Sequence, residues 1–191
     1  MMENLRSRGP CGFTLIELLI TLVVIAVLAT VAVPNLRELI KNNRVTAQNN
    51  EIVTLLNLAK SEALRQSRTV PVEFEFGDGE WLAEVGTPDE PIIVDGEPVN
   101  VEGCRPGVIR CVQYNRVNLS PGSAEATRLE FNSRGYLEPF LLDSLEPDAR
   151  ILYLEHENCV GTRQRRIIEV LPTGQVSSCA AACGGVSCLP L

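Results

Sequence analysis

The sequence predicts an α+β fold in which a long N-terminal helix packs on an antiparallel, sandwich-like set of strands. Three observations predict this fold. An apolar run ends at Val33, an amphipathic pattern with apolar residues three and four positions apart continues to about Gln66, and an alternation of period two follows. These changes divide the chain into residues 1–12, an apolar transmembrane helix (13–33), an amphipathic continuation of that helix (34–66) and a globular β domain (67–191).

The apolar segment from Phe13 to Val33 is long enough to cross a membrane once, since at about 1.5 Å per residue it spans roughly 31 Å. The residues before this segment include two basic residues, Arg6 and Arg8, and one acidic residue, Glu3. This excess of positive charge favours a cytoplasmic N-terminus. One carboxylate, Glu17, lies inside the segment, and an ionised Glu there costs on the order of 3 kcal/mol. Because the run contains no Lys or Arg, we expect Glu17 to pair with a cation from elsewhere or to face protein instead of lipid.

The segment begins with Gly12-Phe13-Thr14-Leu15-Ile16-Glu17-Leu18-Leu19. This motif resembles the class III signal of type IV prepilins and type II secretion pseudopilins. The resemblance implies that a prepilin peptidase cuts between Gly12 and Phe13, that Phe13 becomes the N-methylated first residue, and that the helix remains as a single-pass anchor in the bacterial inner membrane. It also implies a partner for Glu17, the amine of Phe13 in a neighbouring subunit. The alternative is an uncleaved signal anchor with an incidental Glu.

The second half of the helix is amphipathic. Pro34 removes one backbone hydrogen bond and predicts a kink, and a proline at this distance from the cleavage site also resembles pilin-like helices. One face is apolar and is expected to pack on the globular domain, with residues Ile52, Leu55, Leu56, Ala59 and Ala63. The other faces carry Lys41, Asn42, Asn43, Arg44, Asn49, Asn50 and Lys60.

The globular domain is predicted to begin with a hairpin. In the first strand, Val70–Phe76, bulky apolar residues alternate with residues that include Glu73 and Glu75. Gly77-Asp78-Gly79 then turns the chain into a second strand, Trp81–Val85. Residues 86–107 read as a loop with at most short strands. Further strands are predicted at Val108–Tyr114, Thr127–Phe131, Arg150–Leu154 and Arg166–Leu171, and Gln175–Cys179 is expected to pair back onto the last of these. The tail 180–191 carries no prediction.

Charge limits the partners of this chain. The formal net charge is −7, and removal of residues 1–12 leaves 15 basic and 23 acidic residues, a net of −8. Such an acidic protein does not attract nucleic acid or anionic lipid over its whole surface, so any such binding has to be local.

Six of the seven cysteines lie beyond the apolar helix and form an even set. Outside the cytoplasm such a set indicates disulfides, whose connectivity the sequence does not determine. We predict Cys104 with Cys111, Cys159 with Cys179, and Cys183 with Cys188. A zinc site is the alternative, but no Cys-x-x-Cys pair is present and His156 is the only histidine.

Three later segments carry a narrower resemblance: Asn57-Leu58-Ala59-Lys60-Ser61-Glu62-Ala63-Leu64-Arg65-Gln66, Arg128-Leu129-Glu130-Phe131-Asn132-Ser133-Arg134-Gly135 and Arg165-Arg166-Ile167-Ile168-Glu169-Val170-Leu171-Pro172-Thr173-Gly174. They are similar to the FimT/GspH family of minor pilins and pseudopilins. The family implies a low-abundance subunit at or near the tip of a filament, with its globular domain in the periplasm, that assembles with other pilin or pseudopilin subunits.

Two functions diverge within that family. GspH-type members belong to the type II secretion pseudopilus, whereas some FimT-type members of type IV pili bind double-stranded DNA during uptake through a C-terminal Gly-Arg-x-Arg motif. This chain has Gly161-Thr162-Arg163-Gln164-Arg165-Arg166, with Thr162 inserted after the glycine. Arg163, Arg165 and Arg166 are the candidate DNA-binding residues, and in a turn they would contact about three phosphates. The alternative is a solvated basic turn that offsets the nearby Glu155, Glu157 and Glu169.

Catalysis is not predicted. His156 lies between Glu155 and Glu157 with no evident nucleophile, and neither a phosphate-binding loop nor a His-Glu-x-x-His pattern occurs. We therefore expect neither an enzyme nor a bound cofactor or metal.

Overall fold

The computed structural model describes residues 13–77, 80–86, 93–94, 96–98, 101–122, 127–138, 150–160 and 162–189. Within them the chain forms one long helix followed by strands only. The elements are α1 (Leu15–Gln66), β1 (Val70–Phe76), β2 (Glu80–Val85), β3 (Ile93–Val94), β4 (Glu97–Pro98), β5 (Arg110–Asn115), β6 (Val117–Pro121), β7 (Arg128–Phe131), β8 (Leu137–Glu138), β9 (Arg150–His156), β10 (Thr162–Val170) and β11 (Val176–Ala182).

The strands form antiparallel sheets. A five-stranded sheet has the order β5-β2-β1-β7-β8, a four-stranded sheet has the order β11-β10-β9-β6, and β3 pairs with β4. The chain divides into two compact units, one ending at Ile40 and one beginning at Lys41, and α1 continues from the first into the second. The predicted α+β class is confirmed.

One face of α1 forms the core together with the sheets. Ile52, Leu55, Leu56, Ala59 and Ala63 are all buried, as predicted, and share a cluster with strand residues that include Trp81, Phe131, Leu152, Leu154 and Ile168. The stripe begins earlier than predicted, because Val45, Gln48 and Asn49 are also buried.

The buried amides on α1 have partners that the sequence does not reveal. The Gln48 side-chain oxygen accepts the indole N–H of Trp81 at 3.1 Å. The prediction that Asn49 lies on another face was wrong: its amide donates to the Ser178 hydroxyl at 3.1 Å, and this hydrogen bond lets an amide occupy the packed face.

The strand predictions hold in outline. The hairpin of β1 and β2 and the pairing of β11 with β10 are confirmed. Strand β10 begins at Thr162, four residues before its predicted start at Arg166. Strand β6 was missed because Pro121 ends it and the segment is short; it lies at the edge of its sheet, where a proline is tolerated.

The six cysteines beyond the helix form three disulfides, but two of the predicted pairs were wrong. Cys104–Cys111 is confirmed, whereas Cys159 pairs with Cys183 and Cys179 with Cys188. The hairpin register explains this outcome. Thr162 at the start of β10 pairs with Ala182 at the end of β11, so Cys159 lies beside Cys183. The chain after β11 then turns back, and Cys188 forms an isolated β-bridge with Ala181. This backbone pairing brings Cys188 close to Cys179.

Two turns meet on the side of α1. Gly135 and Gly174 both have a positive φ, and a Cβ on Gly174 would lie 1.9 Å from the carbonyl oxygen of Gly135. Lys60 on α1 donates from Nζ to the Gly174 carbonyl at 2.9 Å, and the Leu137 N–H donates to the Pro172 carbonyl at 3.0 Å. The three family-like segments noted in the sequence therefore converge at this contact.

Gly174→Ala is expected to lower the free energy of unfolding by about 3 kcal/mol or more, because the new Cβ meets backbone and the φ of +71° is strained for alanine. Gly184→Ala is the matched control. It has a similar φ of +69° but open space around the Cβ position, so it should cost only about 1 kcal/mol. Urea unfolding followed by the fluorescence of Trp81, the sole tryptophan, gives both values; equal losses would contradict the role assigned to the turn contact.

His156 is a buried histidine with a structural partner. It is 5% exposed, and its Nδ1 accepts the backbone N–H of Asn158 at 3.1 Å. Burial lowers the pKa of His156; Lys41 lowers it further, Glu157 opposes this, and Arg44 adds a smaller lowering effect. The folded state therefore favours the neutral imidazole.

This shift predicts a loss of stability in mild acid. The unfolded chain protonates His156 near pH 6.5, roughly its ordinary pKa, while the folded protein resists protonation until lower pH. The stabilisation is thus complete above about pH 6.5 and is lost as the pH falls towards the lowered pKa, by at most about 1.4 kcal/mol per pH unit. His156→Asn, which keeps an acceptor near the Nδ1 position, should flatten this slope in urea unfolding measured between about pH 7 and 5.5. An unchanged slope would show that other groups cause it.

Candidate functional site

The described chain begins at the proposed processing site. Gly12 lies outside the described residues, Phe13 is 83% exposed, and α1 begins two residues later at Leu15. The Thr14 hydroxyl accepts the backbone N–H of Glu17 at 3.3 Å. Thr14 is thus the N-cap of α1, a role that the sequence analysis missed although the spacing Thr-x-x-Glu indicates a capping box.

Glu17 therefore lies in the first turn of α1, where the helix dipole favours a negative charge. Its side chain is exposed, and within the part of the chain that the structure describes it forms no ion pair. A cation that neutralises it in an apolar environment would come from another molecule or from residues outside the described part.

The apolar half of α1 buries nothing within its own unit. All side chains from Leu15 to Leu39 are exposed, and the helix passes the length and hydropathy criteria for a membrane span. The helix continues without a break through Pro34, which leaves the Thr30 carbonyl without its usual N–H donor. So large an apolar surface requires lipid or other protein to cover it.

The three candidate DNA-binding arginines do not form an open turn. They belong to β10, and the Arg163 side chain lies outside the described part. Arg165 is only 12% exposed; it forms an ion pair with Glu155 and its guanidinium lies 4.4 Å from the ring centre of Tyr153. Arg166 donates to the Thr46 hydroxyl on α1 at 2.9 Å.

These contacts change what the basic segment can do. Neighbouring residues in a strand point to opposite faces of the sheet, so Arg165 and Arg166 do not point at the same phosphates. Both guanidiniums already have partners inside the fold, and a phosphate would have to displace them. These contacts disfavour phosphate binding by Arg165 and Arg166, and the expected contact with about three phosphates stays a prediction.

The geometry provides no metal centre in the described residues. All six cysteines of the set are in disulfides, so no thiolate among them is left for zinc. No group of three or more His, Cys, Asp and Glu side chains in this part of the chain is placed to hold a metal ion.

Two solved structures are similar to this chain at low identity. One is the type IV minor pilin FimU of Pseudomonas aeruginosa, with 18% identity, a TM-score of 0.49, and coverage of 75% of this chain and 99% of that chain. The other is the minor pseudopilin EpsH of the type 2 secretion system of Vibrio cholerae, with 13% identity, a TM-score of 0.44, and coverage of 74% and 98%. No curated protein matches the sequence.

Two family models match the sequence itself. Residues 7–33 match the prokaryotic N-terminal methylation motif, and residues 48–174 match the type II transport protein GspH. The second match includes residues 48–66 of α1 and strands β1 to β10. Because it covers more than half of the 191 residues, the chain belongs to the GspH family of type II transport proteins, the minor pilins and pseudopilins that its sequence resembles.

Proposed function

We propose that this protein is a structural subunit that assembles, through the exposed apolar half of α1, into a type IV pilus or a type II secretion pseudopilus. The observation that carries the proposal is the contrast between the two halves of one helix. The half before Ile40 exposes every apolar side chain, whereas the half after Lys41 buries a stripe in its own domain.

The proposal assigns a sequence of environments to the N-terminal half. Before assembly the segment crosses the inner membrane once, with the globular domain in the periplasm. A prepilin peptidase removes residues 1–12, and the new N-terminus at Phe13 is methylated. In the filament the helices of neighbouring subunits replace lipid around the apolar residues, and Pro34 lies where the helix leaves this apolar bundle.

Glu17 is the residue on which assembly depends in this proposal. Its carboxylate has no cation among the described residues of its own chain, and the amine of Phe13 in a neighbouring subunit is the proposed partner. Among apolar helices such a pair is desolvated, so removal of one partner leaves the other charge uncompensated.

Glu17→Gln is therefore expected to reduce incorporation into filaments by tenfold or more while the protein remains in the membrane, since breaking a buried ion pair costs on the order of 3–5 kcal/mol. The measurement compares subunit amounts in sheared filaments and in membranes. Glu38→Gln is the matched control, because Glu38 is on the same helix but beyond the apolar run. Normal incorporation of the Glu17 variant would remove the charge pairing from the proposal.

DNA binding is the second candidate function, and the structure of the basic segment disfavours it. The case for DNA is the resemblance of Gly161-Thr162-Arg163-Gln164-Arg165-Arg166 to a DNA-uptake motif. Against it are the internal contacts of Arg165 and Arg166 and the acidic charge of the whole chain. We therefore propose the assembly role without DNA binding.

Fluorescence anisotropy with a labelled DNA duplex at two salt concentrations tests this choice. We expect the full-length protein in detergent to show no salt-sensitive binding at tens of micromolar. Arg165→Ala should instead lower the free energy of unfolding, by about 1–3 kcal/mol, because the partly buried contact with Glu155 is lost. Salt-sensitive binding that disappears in Arg163→Ala but persists in Arg134→Ala, an exposed arginine elsewhere, would establish the DNA function.

A further inference from the structure

A nearly buried carboxylate lies in the five-stranded sheet, beneath a loop that a disulfide closes. Glu84 on β2 has only 3% of its side chain exposed. In the strand register it lies opposite Glu73 on β1 and opposite Cys111 on β5. Like charges directly opposite each other destabilise an antiparallel pair. Glu73 has its own ion pair with Arg128, so Glu84 requires a separate cation.

Arg105 supplies that cation from the loop. Its Nε donates to the Glu84 carboxylate at 2.7 Å, a second guanidinium N–H donates to the same oxygen, and a further contact of 3.2 Å reaches Glu75. The two partners differ in exposure, since 43% of the Arg105 side chain is exposed. Loss of the guanidinium while the loop stays closed would therefore be costly, because the carboxylate would be left buried without a cation.

The position of Arg105 depends on a loop of two tight turns. The Cys104 N–H donates to the Val101 carbonyl at 3.0 Å, and the Val108 N–H donates to the Arg105 carbonyl at 3.2 Å. Cys104, directly before Arg105, is bonded to Cys111, seven residues further on. Cys111 lies opposite Glu84 in the sheet. The disulfide therefore holds Cys104, and with it the adjacent Arg105, close to the Glu84 carboxylate.

We propose that the Cys104–Cys111 disulfide is a redox control of the Arg105–Glu84 ion pair. Its formation holds the guanidinium on the carboxylate, so the burial of Glu84 in the sheet depends on oxidation. With both thiols reduced, the loop is free to lift and Glu84 to be hydrated. The inference does not depend on the filament role, because it concerns only the folding of the globular domain.

The oxidant in this step is another disulfide compound. The thiolate of one cysteine attacks a sulfur of the oxidant, which forms a mixed disulfide and releases one thiol of the oxidant. The thiolate of the second cysteine then attacks the cysteine sulfur of this mixed disulfide, which forms Cys104–Cys111 and releases the second thiol of the oxidant. The cysteine pair loses two electrons and two protons, and the disulfide of the oxidant is reduced to two thiols. Since coupling is reciprocal, a disulfide that stabilises the ion pair must itself be stabilised by the ion pair.

This reciprocity gives the test. The full-length protein in detergent is equilibrated with mixtures of reduced and oxidised glutathione, the free thiols are alkylated, and the Cys104–Cys111 fraction is measured by mass spectrometry. Arg105→Gln should lower the equilibrium constant for disulfide formation about tenfold, or about 30 mV, because closing the loop then buries Glu84 without a cation. Adding Glu84→Gln in the same chain should restore most of the loss, because no charge is left to bury.

Two controls separate this effect from a general weakening of the fold. The Cys179–Cys188 disulfide in the same molecules should keep its equilibrium constant. Arg128→Gln, which removes the ion pair of the neighbouring Glu73, should leave Cys104–Cys111 unchanged. The proposal is overturned if Arg105→Gln oxidises like the unaltered protein, or if Glu84→Gln fails to restore the loss.

Discussion

The packing of one stripe of α1 against the sheets is the interaction on which the rest of the structure depends. Buried Leu and Ile side chains contribute about 1.5–3 kcal/mol each, and the stripe contains Ile52, Leu55 and Leu56. Two hydrogen bonds then fix the position of this stripe along the sheets. Trp81 donates to Gln48, and Lys60 donates to the carbonyl of Gly174. Because this stripe and the exposed apolar half belong to one helix, the domain is covalently joined to the segment proposed for assembly without an intervening loop.

The elements that the sequence predicts well are those with a clear period. The second half of the 52-residue helix follows from spacings of three and four, and the hairpin of β1 and β2 follows from a spacing of two. Features that depend on distant partners were not predictable. The spacing of Asn49 does not show that Ser178 will satisfy its amide, and the spacing of Cys159 does not show which end of β11 it will meet. Both depend on strand register, which is decided by packing across the whole sheet.

The candidate site shows the same difference between features that are local in sequence and features that depend on distant partners. The N-terminal methylation motif and the apolar helix were recognisable from Gly12, Phe13, Glu17 and the otherwise uncharged run, because membrane spans and their signals are local in sequence. The basic segment was not interpretable in isolation. The alternative interpretation, a basic turn that offsets nearby glutamates, includes Glu155, the partner of Arg165. It does not show that Arg165 is only 12% exposed or that Arg166 contacts Thr46 on α1. A motif of charged residues predicts binding only where the fold leaves the charges unpaired.

Several arginines of this acidic chain are paired within the fold. In the described residues Arg65, Arg105, Arg110, Arg128 and Arg165 each pair with a glutamate. Exposed pairs of this kind stabilise little, about 0–1 kcal/mol each, but each places an anion beside the cation, so the remaining excess of acidic charge faces solvent. A surface of that sign repels nucleic acid at long range. In the proposed filament, recognition is then apolar contact along the first half of α1. Glu17 is the one charge within the run, so its pairing is expected to determine which neighbours fit.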